Sequence, residues 1–355
     1  MSEYYSKVMI FKNKQSCKMN KILLLITLIF TLGCTFPLQV TFGNPTPTPT
    51  LEPTPVPTQA PLATPEPGTE QNPLILALAP SPHPTEAVIA AGDILTAYIE
   101  ERTAYRVVTV IPASEKELVE SLAKGNAHIA SLSPYAFVLA RDNNSATVLL
   151  ARVRNGEMFY GAQIIINRDS EVTAYFDEAR GENITDAETA LKQFQDKKPC
   201  WSDEISPSGY VVPFGLLNQA QVQPRAGAFL EGQPNVVRGV YADDICDFGA
   251  TFVDARENPV LEADYPDVMD KVLVAWRIPE IIPYENISMS ASLPFEMRRN
   301  IQRAFLDFMT TPEGKAVMQT VYGFDELSPV EDAAYAEFIL YVNASGLDLA
   351  ELLDQ

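Results

Sequence analysis

From residue 74 onward the chain alternates short apolar runs with longer stretches whose apolar residues recur every three or four positions. LILALAP (74–80) is a run of strand length, suited to a buried strand. TEAVIAAGDILTAYIEERT then puts Val88, Ile89, Ile94, Leu95 and Tyr98 at helical spacing. YRVVTVIP reads as a strand. SEKELVESLAKG reads as a helix that opens on a Ser114–Glu117 capping box and stops at Gly125. AHIASL, ATVLLARV and MFYGAQIIIN are further strands, with a short helix in SPYAFVLAR. A second unit of the same grammar runs from about Arg168 to Val272, with a helix near DAETALKQFQ and a strand in ICDFGATFVDA. The tail is helical: LPFEMRRNIQRAFLDFMT sets Phe295, Ile301, Phe305 and Leu306 on one face, and Pro312 starts the next helix. This order predicts an α/β protein with mainly parallel sheets flanked by helices.

The pattern changes upstream. Residues 44–73 form a proline- and threonine-rich tract with too few apolar side chains to pack, so residues 35–72 are expected to be a disordered, semi-rigid spacer. Ahead of it, MNKILLLITLIFTLGC carries a lysine, an apolar run from Ile22 to Leu32, and Gly33-Cys34. The run has the length of a signal-peptide core and is short for a membrane span. It resembles a bacterial lipoprotein signal, which makes Cys34 the lipidated residue, residues 1–34 the leader and Met19 the expected start. The alternatives are a plain signal peptide or a short anchor. The net charge of −20 argues against nucleic acid and against charge-driven membrane binding. Cys200 and Cys246 remain for an exported domain, where oxidation is permitted. They are expected to form one disulfide, the alternative being two buried thiols.

Three apolar strands end in a Ser-Pro dipeptide: Ser81-Pro82, Ser133-Pro134 and Ser206-Pro207. Serine caps helices and proline suits the first helical position, and capping alone explains any single junction. The third carries more. Ser206 and Ser208 supply hydroxyls, Gly209 permits close approach, and a helix start offers free N–H groups with a positive dipole end. That combination suits a tetrahedral oxyanion held without a positive side chain.

ASLSPYAFVLARDN, ISPSGYVVP, ICDFGATFVDAR followed by YPDVMDKVLV, and MTTPEGKAVMQTVYGFDEL resemble, in this order, the phosphate/phosphite/phosphonate-type substrate-binding proteins of ABC importers. The resemblance implies a two-lobed periplasmic-binding-protein-like fold of type II, with lobe 1 at 73–163 plus 275–355 and lobe 2 at 164–274. The crossovers would lie near Gln163 to Asn167 and Leu273 to Arg277. It implies that Ser206, Ser208 and Gly209 hold the ligand's oxygens, that Ser133 and Tyr135 face them from lobe 1, and that the loop from Ser81, with His83, also faces the cleft. Two positions depart from the family pattern. Pro207 removes a hydroxyl and an N–H donor, and Gln233 stands where a histidine is common, as an expected ligand-binding residue that can donate a hydrogen bond but cannot carry charge. Asp254 is expected either in the cleft, where it would meet the amine of an aminophosphonate, or on the surface as a solvated carboxylate; Asp244 is expected on the surface.

Leader, spacer and resemblance together predict an extracytoplasmic, lipid-anchored, monomeric receptor that delivers a small phosphorus oxyanion to an ABC permease. A ligand sensor of the same fold, presenting its solute to a signalling partner, is the alternative. An enzyme is not expected. The two histidines, His83 and His128, form no metal-ligand pattern, and neither G-x-S-x-G nor a P-loop occurs. No catalytic residue, metal or cofactor is therefore assigned. His128 lies in a strand pattern and is expected in the core. His83 is expected at the ligand or at the surface.

Overall fold

The computed structural model describes residues 65–354. The leader, Cys34 and the spacer as far as residue 64 lie outside the described residues. The chain enters at β1 (Leu74–Ala77) and passes through α1 (Glu86–Thr103) to β2 (Val107–Val110). It continues through α2 (Glu115–Lys124) to β3 (Ile129–Leu132), and through α3 (Pro134–Asp142) to β4 (Ala146–Arg152). β5 (Phe159–Asn167) opens a second sheet, followed by the ribbon β6 (Phe176–Asp177) and β7 (Glu182–Asn183). Next come α4 (Ala187–Lys192), β8 (Pro199–Trp201) and a π-helical turn, Pro207–Val211, that runs into α5 (Val212–Gln219). β9 (Ala228–Phe229), α6 (Gln233–Ala242), β10 (Phe248–Phe252), the short α7 (Pro259–Asp264) and α8 (Val268–Lys271), and β11 (Val272–Pro283) complete this half. The return adds β12 (Asn286–Ser290), α9 (Phe295–Met309), α10 (Pro312–Tyr322) and β13 (Leu327–Pro329). A 3₁₀ turn at Asp332–Tyr335, α11 (Ala336–Ser345) and α12 (Leu349–Leu352) end it.

The first sheet has the order β13-β4-β12-β3-β1-β2 and the second β11-β5-β10-β8-β9. Strands joined by helical crossovers are parallel: β1 with β2 and β3, and β8 with β9 and β10. The strands that carry the chain between sheets, with their partners, run antiparallel. Both sheets are therefore mixed, because a strand arriving directly from the other sheet enters from the opposite end. Gln163 pairs with Arg277 inside the second sheet. The passages between sheets thus fall at 153–158 and 284–285, outside the expected crossover segments. The Cys200–Cys246 disulfide is present, with Cα atoms 5.6 Å apart; the parallel pairing of β8 with β10 brings the two together.

Several expected faces are displaced, each for a packing reason. In α1 the buried stripe is Ala91, Gly92, Leu95, Thr96 and Ile99, while Ile89 and Ile94 are exposed. A Cβ on Gly92 would meet Leu78 Cδ1 at 2.5 Å, so the smallest residues face the sheet and the isoleucines turn outward. In α9 the face is Met297, Ile301, Ala304, Phe305 and Phe308, with Phe295 exposed at the first turn. Residues 65–72, expected in the spacer, form a turn against the start of β2: Gly68 O accepts from the Arg106 N–H at 2.8 Å, and Asn72 Nδ2 donates to Pro65 O at 2.9 Å.

The C-terminal segment also departs from its expected place. α11 lies against α5 of the second half, where Asn218 Nδ2 donates to Ala344 O at 3.1 Å. Gly215 makes the approach possible, since a Cβ there would meet the Tyr341 carbonyl oxygen at 1.9 Å. Tyr335 fills the space between Phe137 of α3 and Phe159 of β5, with ring centroids 4.7 and 5.5 Å away. The chain then returns to the first half, where Asp354 pairs with Lys116. Residues 336–354 therefore touch both halves, and one apolar cluster runs continuously from Phe137 through Phe338 to Leu217.

Candidate ligand-binding site

Three parallel strands of the second sheet, β8, β9 and β10, end at one edge. The segments that leave them carry Ser202 to Gly209, Gln233, and Phe252 to Asp254. This is the edge at which α/β sheets hold ligands. Ser206 caps the helix, its Oγ accepting from the Gly209 N–H at 3.0 Å. Pro207 occupies the first helical position and has no N–H. Tyr210 and Val211 both donate to Ser206 O, at 3.1 and 3.0 Å, which widens the first turn to the π form often found at functional sites. Among the described residues, the Ser208 N–H donates to no group of the protein. Ser208 is itself buried.

Gly209 is required by what lies beneath it. A Cβ there would meet Ser202 Oγ at 2.0 Å and Gln233 Nε2 at 2.8 Å. Gln233 Nε2 donates to Ser202 Oγ at 3.2 Å and to Ser206 Oγ at 3.1 Å, while its Oε1 accepts from the Phe252 N–H at 3.1 Å. The residues at this edge are thus joined into one network of neutral groups.

The first sheet presents its own strand ends. Ser133 caps α3, accepting from the Ala136 N–H at 3.3 Å, and its hydroxyl donates to Glu115 Oε2 at 2.7 Å. Burial pushes the Glu115 carboxyl above its usual range, against the opposing effect of the Ser133 hydrogen bonds. The Tyr135 hydroxyl donates to Ile205 O at 3.1 Å, directly ahead of Ser206. That bond brings the Ser133 and Ser206 junctions face to face. Tyr160, stacked on Tyr284 with centroids 5.1 Å apart, neighbours Ser208. Burial lifts its phenol to about 12, partly offset by the Ser208 hydroxyl, so it stays protonated at neutral pH.

The remaining assigned residues lie less centrally. Ser81 caps no helix; Thr85 caps α1, and Ser81 Oγ accepts from the His83 N–H at 3.3 Å in an exposed loop after β1. His128 Nδ1 accepts from the Ile75 N–H at 3.0 Å, and burial lowers its pKa, so it is a neutral structural group. Asp254 is held inside the second half by Gln163 Nε2 at 2.7 Å and Arg256 Nη2 at 2.6 Å. Burial opposes its charge, but Arg256 outweighs burial and keeps the carboxyl below its usual range. Arg256 is 2% exposed. Arg256 Nη1 also donates to Glu178 Oε1 at 2.8 Å, and Arg277 Nη2 lies 3.9 Å from Asp254 Oδ2, so the carboxylate belongs to a charged network and not to an isolated pair. Ser202 and Glu115 were not singled out from the sequence. Their place depends on strands and helices meeting in space, and a serine a few residues before a helix or a glutamate in its first turn gives no local signal.

Comparison with known proteins is decisive on the family. Residues 78–335 match the model of the phosphonate periplasmic substrate-binding proteins of ABC transporters. The chain belongs to this family. Among solved structures it is similar to XAC2383 from Xanthomonas citri bound to ATP, with TM-score 0.52 and 16% identity over 77% of this chain and 97% of that one. It is also similar to PhnD1 from Prochlorococcus marinus in complex with methylphosphonate, with TM-score 0.44 and 15% identity over 77% and 100% of the two chains. A third is the binding protein component PA3383 of a phosphonate transporter from Pseudomonas aeruginosa, with TM-score 0.40 and 15% identity over 79% and 97%. No curated protein matches the chain. Membership makes this an extracytoplasmic substrate-binding protein with a small ligand and a permease partner. No helix among the described residues is long and apolar enough to cross a membrane.

Proposed function

We propose that this family member is a lipid-anchored, monomeric receptor that holds a small phosphorus oxyanion, whether phosphonate, phosphite or phosphate, between its lobes and presents it to an ABC permease unchanged. The observation that carries the reading is the helix start at Ser206 to Gly209, with an unused backbone N–H on Ser208 and hydroxyls on either side. Anions are favoured there by oriented N–H groups and by the helix dipole. Tyr135 supplies the opposite wall. Its bond to Ile205 has to break for a ligand to enter and is available to re-form on closure, so ligand and closed state are coupled. Asp254 has its charge balanced by Arg256, and the proposal therefore places the anion on the serines and no ammonium group on Asp254. Ser81 and His83 form the outer wall. The anchor is the acyl-modified Cys34, separated from the folded part by the Pro/Thr tract.

The test is calorimetric titration of the purified chain, unfolded and refolded to strip carried-over ligand, with phosphate, phosphite, methylphosphonate and 2-aminoethylphosphonate. Submicromolar binding of one or more is the expected result. Absence of binding by all four would end the receptor reading for phosphorus oxyanions. Mass analysis of membrane-extracted protein tests the anchor: an unmodified Cys34, or a mature chain that begins elsewhere, would remove it.

A further inference from the structure

The Gln233 side chain sits one layer behind the helix start, and its two ends are committed. The amide oxygen takes the Phe252 N–H at 3.1 Å, which fixes the orientation of the amide. The amide nitrogen then points at two serine oxygens, Ser202 Oγ at 3.2 Å and Ser206 Oγ at 3.1 Å. A hydroxyl that accepts from an amide N–H keeps its own proton available. Ser206 Oγ accepts twice, from Gln233 and from the Gly209 N–H. No acceptor for the Ser202 or Ser206 proton is found among the described residues. Ser202 is 0% exposed, so its proton has no bulk water to turn to. A buried hydroxyl with an unused donor costs free energy, and it lies directly beneath the glycine of the proposed anion site.

We propose that Gln233 is the positioning residue of the oxyanion cup and that Ser202 is a donor of that cup in addition to Ser206 and Ser208. By donating to both hydroxyl oxygens, Gln233 turns both protons toward the bound anion. The cup then presents donors only and carries no charge of its own, which suits a tetrahedral head whose contacting oxygens are all deprotonated. The proposal rests on the receptor reading above and adds which residues deliver the protons.

Replacing Gln233 by glutamate tests the orientation directly. A carboxylate accepts, so at pH 8 it would draw both serine protons away from the ligand, whereas the protonated acid at low pH again donates, though to one of the two hydroxyls only. Glu115 beside Ser133 and His83 of the outer wall are the same in the native and variant chains, so the ratio to native removes their contribution. The Tyr160 phenol stands at about 12, and the Asp254 carboxyl is kept low by Arg256. Methylphosphonate affinity is measured from pH 5 to 8 for the native chain and for Gln233→Glu, Gln233→Ala and Ser202→Ala, each expressed as a ratio to native so that titration of the ligand cancels. Expected are a roughly 100-fold loss for Gln233→Glu at pH 8 that shrinks several-fold by pH 5, and pH-flat losses of about 10-fold for Gln233→Ala and Ser202→Ala. A flat ratio for Gln233→Glu, equal to that of Gln233→Ala, would overturn the orienting role. Unchanged affinity in Ser202→Ala would remove Ser202 from the cup. If the native chain binds no oxyanion, the receptor reading falls and this inference falls with it; if the native chain binds and the ratios are flat, only the inference falls.

Discussion

Ser133 and Ser206 stand at equivalent points of the two halves: after a parallel strand, ahead of a proline, capping a helix. What each does with its hydroxyl proton separates them. Ser133 gives its proton to the Glu115 carboxylate at 2.7 Å. Ser206 receives from Gly209 and Gln233 and keeps its proton. The local motif is the same, and the neighbour across the loop decides whether the serine is used up by the fold or left for a ligand. An acceptor behind the hydroxyl closes the site, and a donor behind it opens one. The same contrast explains why a Ser-Pro step alone is weak evidence for binding.

The comparison breaks most completely at Gly209. Alanine there brings a methyl group onto Ser202 Oγ and Gln233 Nε2, and both neighbours are held by their own hydrogen bonds. Something has to shift, and overpacking of this kind costs about 1–3 kcal/mol. Because the shift dismantles the cup, Gly209→Ala is expected to abolish measurable oxyanion binding while the chain still folds, seen as a two-state melt. Retained submicromolar binding would show that the cup is not built on this close approach.

Next in size is the pair Ser206→Ala and Ser133→Ala. Both lose a helix cap, which costs about 1 kcal/mol of stability. Only Ser206→Ala also loses a donor to a charged oxygen, worth about 1.5–3 kcal/mol, or roughly 10- to 100-fold in affinity. Melting and titration of both variants separate the roles: similar losses of stability, dissimilar losses of affinity. Equal affinity losses would mean that the two junctions contact the ligand alike.

A physical divide separates what was readable along the chain from what was not. Capping at Ser114, the stop at Gly125, Pro312 at a helix start and the strand runs of both halves depend on neighbours within a few residues, and all are present. The hydroxyl-rich turn at Ser206 to Gly209 is local in the same sense, and its residue types alone marked it as unusual. Faces set by a glycine against a distant residue were not readable: Gly92 against Leu78 rotates the face of α1 so that Leu95 stays buried while Ile89 and Ile94 turn outward, and Gly215 against Tyr341 takes the C-terminal helix onto the second half. Asp254 illustrates the divide within three residues. The sequence shows Asp-Ala-Arg, but only the fold shows that the guanidinium of Arg256 turns back to take the carboxylate.

The smallest expected effect concerns Glu115, the acceptor that makes Ser133 a structural residue. Burial raises its carboxyl, with the nearby Glu285 adding to the shift, against the opposing Ser133 hydrogen bonds. A raised folded-state value means that the fold favours the neutral acid. The stabilisation linked to this group is therefore fully present below the ordinary glutamate range and is lost as pH rises through and beyond it. Glutamine keeps an acceptor for the Ser133 hydroxyl without the charge. Glu115→Gln is expected to match the native melting temperature near pH 4 and to exceed it by at most about 1 °C at pH 7.5. A carboxylate in the first turn of α2 also gains from the helix dipole, which works in the opposite direction. If the variant is less stable than native at pH 7.5, the dipole outweighs burial, and Glu115 holds Ser133 as a charged acceptor whose strength glutamine does not reproduce. If the gap opens with pH as expected, the Ser133 junction tolerates a neutral acceptor, and the difference between the two serines rests on hydrogen-bond direction and not on charge.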